Sequence, residues 1–209
     1  QLQEERCHNI NLVTPTHVMP QILEALRIAI PLGLKVTLVY NTSGYELAQS
    51  IALLEGIVDV YLSDMRYADS AAAEKYSQAP EYPGYNQESV SEMQRQVGVA
   101  CCDADDIITS GLLIRHLVLP QGLSGTAGIM KFIAEKVSLD TYISLMSQYL
   151  PCHKAGAYKE LSRRITPQEY AAAEKIMRSL GLHNGWTQQA HGLERLAGIH
   201  IKIKPSTAW

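Results

Sequence analysis

Residues 33–45 read GLKVTLVYNTSGY, and this stretch contains the unit from which the rest of the chain is built. Gly33 closes a preceding helix, Lys35 to Tyr40 is a β-branched apolar run, and Asn41–Thr42–Ser43–Gly44 is a polar loop able to cap a helix beginning near Tyr45. Strand, polar loop and helix follow one another within about a dozen residues, the rhythm of a βα unit.

The same order recurs on both sides. Upstream, Asn9 to Val13 reads as a strand stopped at Thr14–Pro15–Thr16, and Pro20 through Leu32 has helical apolar spacing. Downstream, Gly56 precedes a strand from Val58 to Leu62 that runs into Ser63–Asp64–Met65–Arg66–Tyr67. A short helix, Ser70 to Tyr76, a loop rich in Pro and Tyr as far as Gly84, and an amphipathic helix from Gln87 to Val97 come next. Gly111 introduces a strand from Leu112 to Leu119, broken at Pro120–Gln121–Gly122; Gly125 to Val137 is helical and Thr141 to Met146 is a fifth strand. Alternation of this kind predicts an α/β fold with a parallel sheet, and right-handed crossovers wind it into an open sheet or curl it into a barrel. Periodicity does not choose between the two. Beyond Pro151, Thr166 with Glu169 forms a capping box for a helix ending near Gly181, and Ile199 to Ile203 alternates like an exposed strand.

With 209 residues and 46% hydrophobic content the chain can bury one sizeable core. A formal net charge of −3 and the lack of a long basic cluster argue against nucleic acid as a partner. The most apolar stretch, Ile22 to Leu34, contains Glu24 and Arg27 and is too short and too charged for a bilayer span. Cys7, Cys101, Cys102 and Cys152 lack the spacing of a disulfide scaffold or of a four-cysteine cluster site, so free thiols and a cytoplasmic location are expected. A start at Gln1 instead of Met is read as a trimmed or truncated beginning.

In parallel βα folds ligands lie at the carboxyl ends of the strands. The residues there are polar: Thr14, Thr16 and His17; Asn41, Thr42, Ser43 and Gly44; Asp64 and Arg66; Gln148 and Tyr149. Asn41 to Gly44 can equally be a helix cap, and Asp64 with Arg66 a surface pair of small worth. Arg115 and His116 interrupt an apolar strand, where a charge must find a partner, and so point more firmly to function.

Taken together, Val13–Thr14–Pro15–Thr16–His17, Val39–Tyr40–Asn41–Thr42–Ser43–Gly44–Tyr45, Asp59 through Tyr67 and Arg115–His116–Leu117–Val118–Leu119–Pro120 resemble one family, in order and over about Cys7 to Leu182. It is the radical S-adenosylmethionine (radical SAM) family, in its pyruvate formate-lyase-activating type. The resemblance implies a partial (β/α) TIM-like barrel over residues 1–182 that lacks the first βα unit, with residues 183–209 as a tail. It also implies S-adenosylmethionine across the strand ends and, in the parent protein, a [4Fe–4S] cluster whose ligands are not in this chain. By the same resemblance Asp64, Arg66, Arg115, Asn41, Thr42, Thr16 and Tyr149 are the cofactor-binding candidates. Thr14–Pro15–Thr16 stands where the family has a Gly-Gly-Glu-Pro-like turn, and Asn41 where it has an acid.

The Cys-x3-Cys-x2-Cys loop of the family is absent, so the chain alone is not expected to cleave the cofactor, and no metal ligand is assigned. A glycyl-radical enzyme is the partner implied, and self-association through an open sheet edge is expected. Two other readings stand beside this one: a cluster-free S-adenosylmethionine- or nucleotide-binding module, and a hydrolytic or aldolase-like barrel using Asp64, His116 and Arg115.

Overall fold

A computed structural model describes residues 1–187 except residue 106. The predicted exposed strand at Ile199 to Ile203 lies outside the described residues. The elements are β1 (Asn9–Val13), α1 (Met19–Ala29), β2 (Thr37–Thr42), α2 (Ala48–Ala52), β3 (Val60–Asp64), α3 (Ser70–Ser77), α4 (Tyr82–Val97), β4 (Cys101–Cys102), β5 (Ile108–Leu117), α5 (Thr126–Phe132), β6 (Tyr142–Met146), α6 (Pro167–Ser179) and β7 (Gly185–Thr187). The sheet order is β1-β2-β3-β5-β6-β7 with every neighbouring pair parallel, and β4 pairs antiparallel with the start of β5. Among the described residues the sheet does not close, and β1 lies at one edge of it.

Burial alternates along the later strands. On β5 and β6, Leu112, Ile114, His116, Ile143 and Leu145 are buried, while Leu113, Arg115, Leu117, Tyr142, Ser144 and Met146 are half-buried. Side chains of successive strand residues leave opposite faces, so one face of the sheet is covered and the other is not. The covered face packs Tyr40, Tyr61, Leu112, Ile114, Ile143 and Leu145 against Met19 of α1, Ile51 of α2, Val90 and Met93 of α4, Ile129 and Met130 of α5 and Ala173 and Met177 of α6. A doubly wound parallel sheet buries both faces; this one has its principal helices on one. A smaller cluster of Tyr67, Ala73, Ala79, Tyr82 and Leu119, with Leu117 and Tyr149 against it, sits at the carboxyl ends of the strands.

Local chemistry accounts for the helices. In α4 the buried side chains Asn86, Ser89, Val90 and Met93 recur at three- and four-residue spacing and form a single stripe. This helix begins at Tyr82, not at Gln87 as expected, because Pro83 falls in its first turn, where a missing N–H breaks no helical bond. The capping box of α6 is present: Glu169 N donates to Thr166 Oγ1 (3.2 Å) and Thr166 N donates to Glu169 Oε2 (2.7 Å). Gly111 lies inside β5 instead of opening it, with φ +105° and a Cβ that would stand 2.3 Å from Ala100 Cα. Only a glycine lets the β4 hairpin approach that closely. Past His183, Gly185–Thr187 joins the sheet parallel to β6, so the segment set apart as a tail begins with an edge strand. Among the described residues, no helix is long and apolar enough to cross a membrane.

Candidate functional site

Register brings the charged candidates together. Asp64 ends β3 directly beside Arg115 on β5, and Arg115 stands beside Ser144 on β6. All three, with Asn41 on β2, leave the face that the helices do not cover. Asp64 is buried and accepts at both oxygens: Arg115 Nε donates to Oδ1 (2.7 Å), while Arg66 Nη2 and Nε donate to Oδ2 (2.7 and 3.1 Å). Arg115 Nη2 also donates to Asn41 Oδ1 (2.9 Å). Two guanidinium groups on one carboxylate leave a net positive charge and spare N–H donors at the carboxyl ends of three adjacent strands. Burial opposes the charge on Arg66, but the Asp64 carboxylate outweighs it and holds that guanidinium above its ordinary pKa.

A second knot lies at the ends of β1 and β2. Glu46, only 4% exposed, accepts at Oε1 from the hydroxyls of Thr16 (2.6 Å), Thr42 (2.6 Å) and Tyr40 (3.3 Å). The two short contacts are hydroxyl donors on one carboxylate oxygen. Burial and the adjacent Glu46 charge both raise the Tyr40 pKa, so Tyr40 stays a protonated donor. Gly44 N donates to Thr42 Oγ1 (3.1 Å), which gives the threonine hydroxyl a donor and an acceptor role at once.

The loop between the two knots is pinned from α4. Asn86 Nδ2 donates to Gly44 O (3.1 Å) and Asp64 O (2.9 Å), and Ser89 Oγ donates to Gly44 O (3.1 Å). The Tyr82 hydroxyl donates to Ser43 O (2.8 Å) and accepts from Arg66 N (3.1 Å). One helix therefore fixes the backbone that carries Asn41, Asp64 and Arg66.

Of the expected residues, Asp64, Arg66, Arg115 and Asn41 form the first knot, and Thr16 and Thr42 form the second around Glu46. Tyr149 is directed elsewhere: its hydroxyl donates to Leu161 O (2.8 Å) and its ring joins the small apolar cluster. His116 belongs to the covered face. Its ring nitrogens lie 2.7 Å from Met65 O and 2.9 Å from Thr126 Oγ1; a carbonyl can only accept, so Nδ1 carries the proton and Nε2 accepts from the threonine. Burial pushes its pKa down to about 4, against a smaller opposing effect of the Met65 carbonyl. Asp64, Arg115 and His116 are thus not assembled in one place, and the hydrolytic or aldolase-like reading loses its trio.

Glu46 and Asn86 were missed by sequence reasoning. A glutamate near a helix start and an asparagine on a polar helix both read as solvated; Glu46 gathers Tyr40 and Thr42 from the strand just before it and Thr16 from 30 residues away, and Asn86 reaches Gly44 and Asp64, 42 and 22 residues away. The four cysteines are exposed free thiols, and they do not converge. Cys7 precedes β1, Cys101 and Cys102 lie on the hairpin at the amino end of β5, and Cys152 follows β6. Among the described residues no group of three His, Cys, Asp or Glu side chains is arranged to hold a metal ion.

No family model matches the sequence. An uncharacterized protein of Methanocaldococcus jannaschii is 28% identical over 177 residues, covering 83% of this chain and 47% of that protein. The chain therefore spans about half the length of that relative. Among solved structures, a crystallised domain of a pyruvate-formate lyase-activating enzyme from Bacteroides vulgatus superposes with a TM-score of 0.60 and 14% identity, over 85% of this chain and 98% of that domain. The chain has the fold of that domain. At this identity the likeness extends to the fold alone, an open and mostly parallel α/β sheet.

Proposed function

We propose that the chain is the S-adenosylmethionine-binding part of a radical SAM protein of the pyruvate formate-lyase-activating type, with its strands forming a segment of a barrel wall. The amino-acid end of the cofactor lies on the uncovered face, its carboxylate on Arg66 and Arg115 and its ammonium near the Asp64 carboxylate, with Asn41 beside them. The single observation that supports this most is the Asp64–Arg66–Arg115 knot. It places excess positive charge and unused guanidinium N–H groups where parallel βα folds bind ligands. Thr16 and Thr42, tied by Glu46, shape the neighbouring corner and hold the loop that positions Asn41.

With a [4Fe–4S] cluster held by another part of such a protein, bound S-adenosylmethionine would supply radical chemistry for hydrogen abstraction, and a glycyl-radical enzyme is the partner that this reading implies. The cysteines of the described residues do not fit such a cluster, because they are spread over both ends of the sheet. What this chain contributes is binding and orientation. The Arg pair takes the carboxylate bidentately, Asp64 keeps both guanidinium planes fixed, and α4 keeps Asp64 itself from moving.

Titration calorimetry tests the assignment. S-adenosylmethionine should bind, and Arg115→Met should weaken it by about tenfold or more, the scale expected for losing one charged hydrogen bond. Binding of 5′-methylthioadenosine, which has no amino-acid end, should be unchanged by the same substitution. Equal sensitivity of the two ligands to Arg115→Met would exclude an amino-acid subsite at this knot. The separation of the cysteines favours a second reading, a cluster-free binding module. Anaerobic iron–sulfur reconstitution of this chain alongside a version extended at the N-terminus from its own gene decides between them by iron content and visible absorption.

A further inference from the structure

Strand register lays out the uncovered face in rows. The row at the carboxyl ends holds Asp64, Arg115 and Ser144 side by side, with Trp186 of β7 beyond Ser144. Two residues earlier on β3, β5 and β6, Leu62, Leu113 and Tyr142 stand in register, with Asn41 of β2 beside Leu62. Two residues earlier again, the β4 hairpin lies against the face: a Cβ on Gly111 would stand 2.3 Å from Ala100 Cα, and Val39 and Val60 in the same row are buried.

The middle row is apolar and open. Leu62, Leu113 and Tyr142 are half-buried, Trp186 is 48% exposed, and neither apolar cluster includes them. The Tyr142 and Trp186 rings lie 5.9 Å apart between centroids. A sheet face meant for water carries polar residues, whereas a parallel sheet buries apolar ones. Apolar side chains left open across three central strands therefore mark a surface that a ligand covers. The limits of the row set the size of that ligand. Neighbouring strands are about 4.8 Å apart, so Leu62 to Tyr142 spans about 10 Å, and one row occupies about 7 Å along the strands. That area seats one or two rings, while a protein partner needs roughly 800 Å² on its side of an interface. Charge sets its polarity. The knot above the row carries a net positive charge, and Arg115 Nη1 donates to no group among the described residues. Leu62 and Leu113 offer no hydrogen bond, so a polar ring edge over them would lose its water without replacement.

We propose that this row seats a small molecule with an apolar, ring-bearing body and one anionic group: the body over Leu62, Leu113 and Tyr142, its end against Trp186, and the anion on the spare donors of Arg115. This is a second ligand beyond S-adenosylmethionine, and it rests on reading the knot as an anion site. Two dyes that share a ring system test it, anionic anilinonaphthalene sulfonate and uncharged phenylnaphthylamine, each titrated by fluorescence. Both should bind, and Leu113→Gln and Trp186→Ala should each weaken both several-fold. Arg115→Met should weaken the sulfonate by about tenfold and leave the neutral dye unchanged. In a Trp209→Phe background Trp186 is the one remaining tryptophan, and its emission should pass to either bound dye. Trp186 is exposed on an edge strand, so its substitution keeps the test usable if Leu113→Gln disturbs folding. Indifference of both dyes to both row substitutions would mean adventitious dye binding only, and no binding at all would mean that the row seats no such molecule. Equal loss of both dyes in Arg115→Met would remove the anion from the assignment, and displacement of the neutral dye by 5′-methylthioadenosine would give the row to a purine. Each of these four results overturns the proposal. The expected dye pattern without S-adenosylmethionine binding would count against the cofactor alone.

Discussion

Gly44 and Gly56 share one backbone conformation, φ +73°, and differ in what surrounds them. A Cβ on Gly56 meets nothing within 4 Å, whereas one on Gly44 would stand 2.1 Å from Asn86 Nδ2, 2.4 Å from Asp64 O and 2.9 Å from Ser63 Oγ. Alanine at either position bears the left-handed penalty, about 1–2 kcal/mol. At Gly44 it must also displace Asp64 O, a strand-end backbone atom held by Asn86, and overpacking of this kind costs about 1–3 kcal/mol more. Gly56→Ala should therefore lower stability by about 1–2 kcal/mol and Gly44→Ala by about 2–5 kcal/mol. Urea titration followed by far-ultraviolet circular dichroism measures both, as shifts in midpoint at constant slope. Because Asp64 moves in the second variant, calorimetry should also find weaker S-adenosylmethionine binding for Gly44→Ala and not for Gly56→Ala. Equal destabilisation by the two substitutions would refute the claim that the Asn86–Gly44–Asp64 contact is rigid.

Further outcomes follow from the same contacts. His116 has a folded pKa of about 4 against an unfolded value of 6.5, so the folded state resists its protonation. Its contribution is complete above pH 6.5 and is lost as pH falls toward 4, by about 3 kcal/mol over that window. An NMR titration placing His116 near 6.5 would contradict the burial. Thr166→Ala removes the hydroxyl half of the α6 capping box and should cost about 1 kcal/mol, read by thermal melting, with no change at the Asp64 knot. The edge strand β1 carries Val13, 69% exposed; any concentration-dependent association seen by sedimentation velocity should be reduced by Val13→Lys, and indifference to that charge would place the association elsewhere.

The parts legible in the sequence were those where a residue breaks its own local pattern. Arg115 within an apolar strand had to have a counter-charge, and Asp64 at the end of the neighbouring strand β3 supplies it at 2.7 Å. The capping box of α6 is readable for a similar reason, since both of its partners lie within three residues. Glu46 could not be found this way: Tyr40 and Thr42, its neighbours in the chain, read as ordinary strand residues, and the arrival of Thr16 from the end of β1 completes the set of donors around it. Tyr149 shows a different dependence. Its position after β6 matches a site residue, but the long return of the chain offers Leu161 O as a nearer acceptor. His116 shows the limit of reading charge alone: one residue from Arg115, it leaves the opposite face of the strand, so its neighbour's role says nothing about its own. The direction in which the sheet buries its faces is what separates binding from packing here. Local sequence carries that direction only as an alternation, and the helices gathered on one side of the sheet decide which half of the alternation is left open to a ligand.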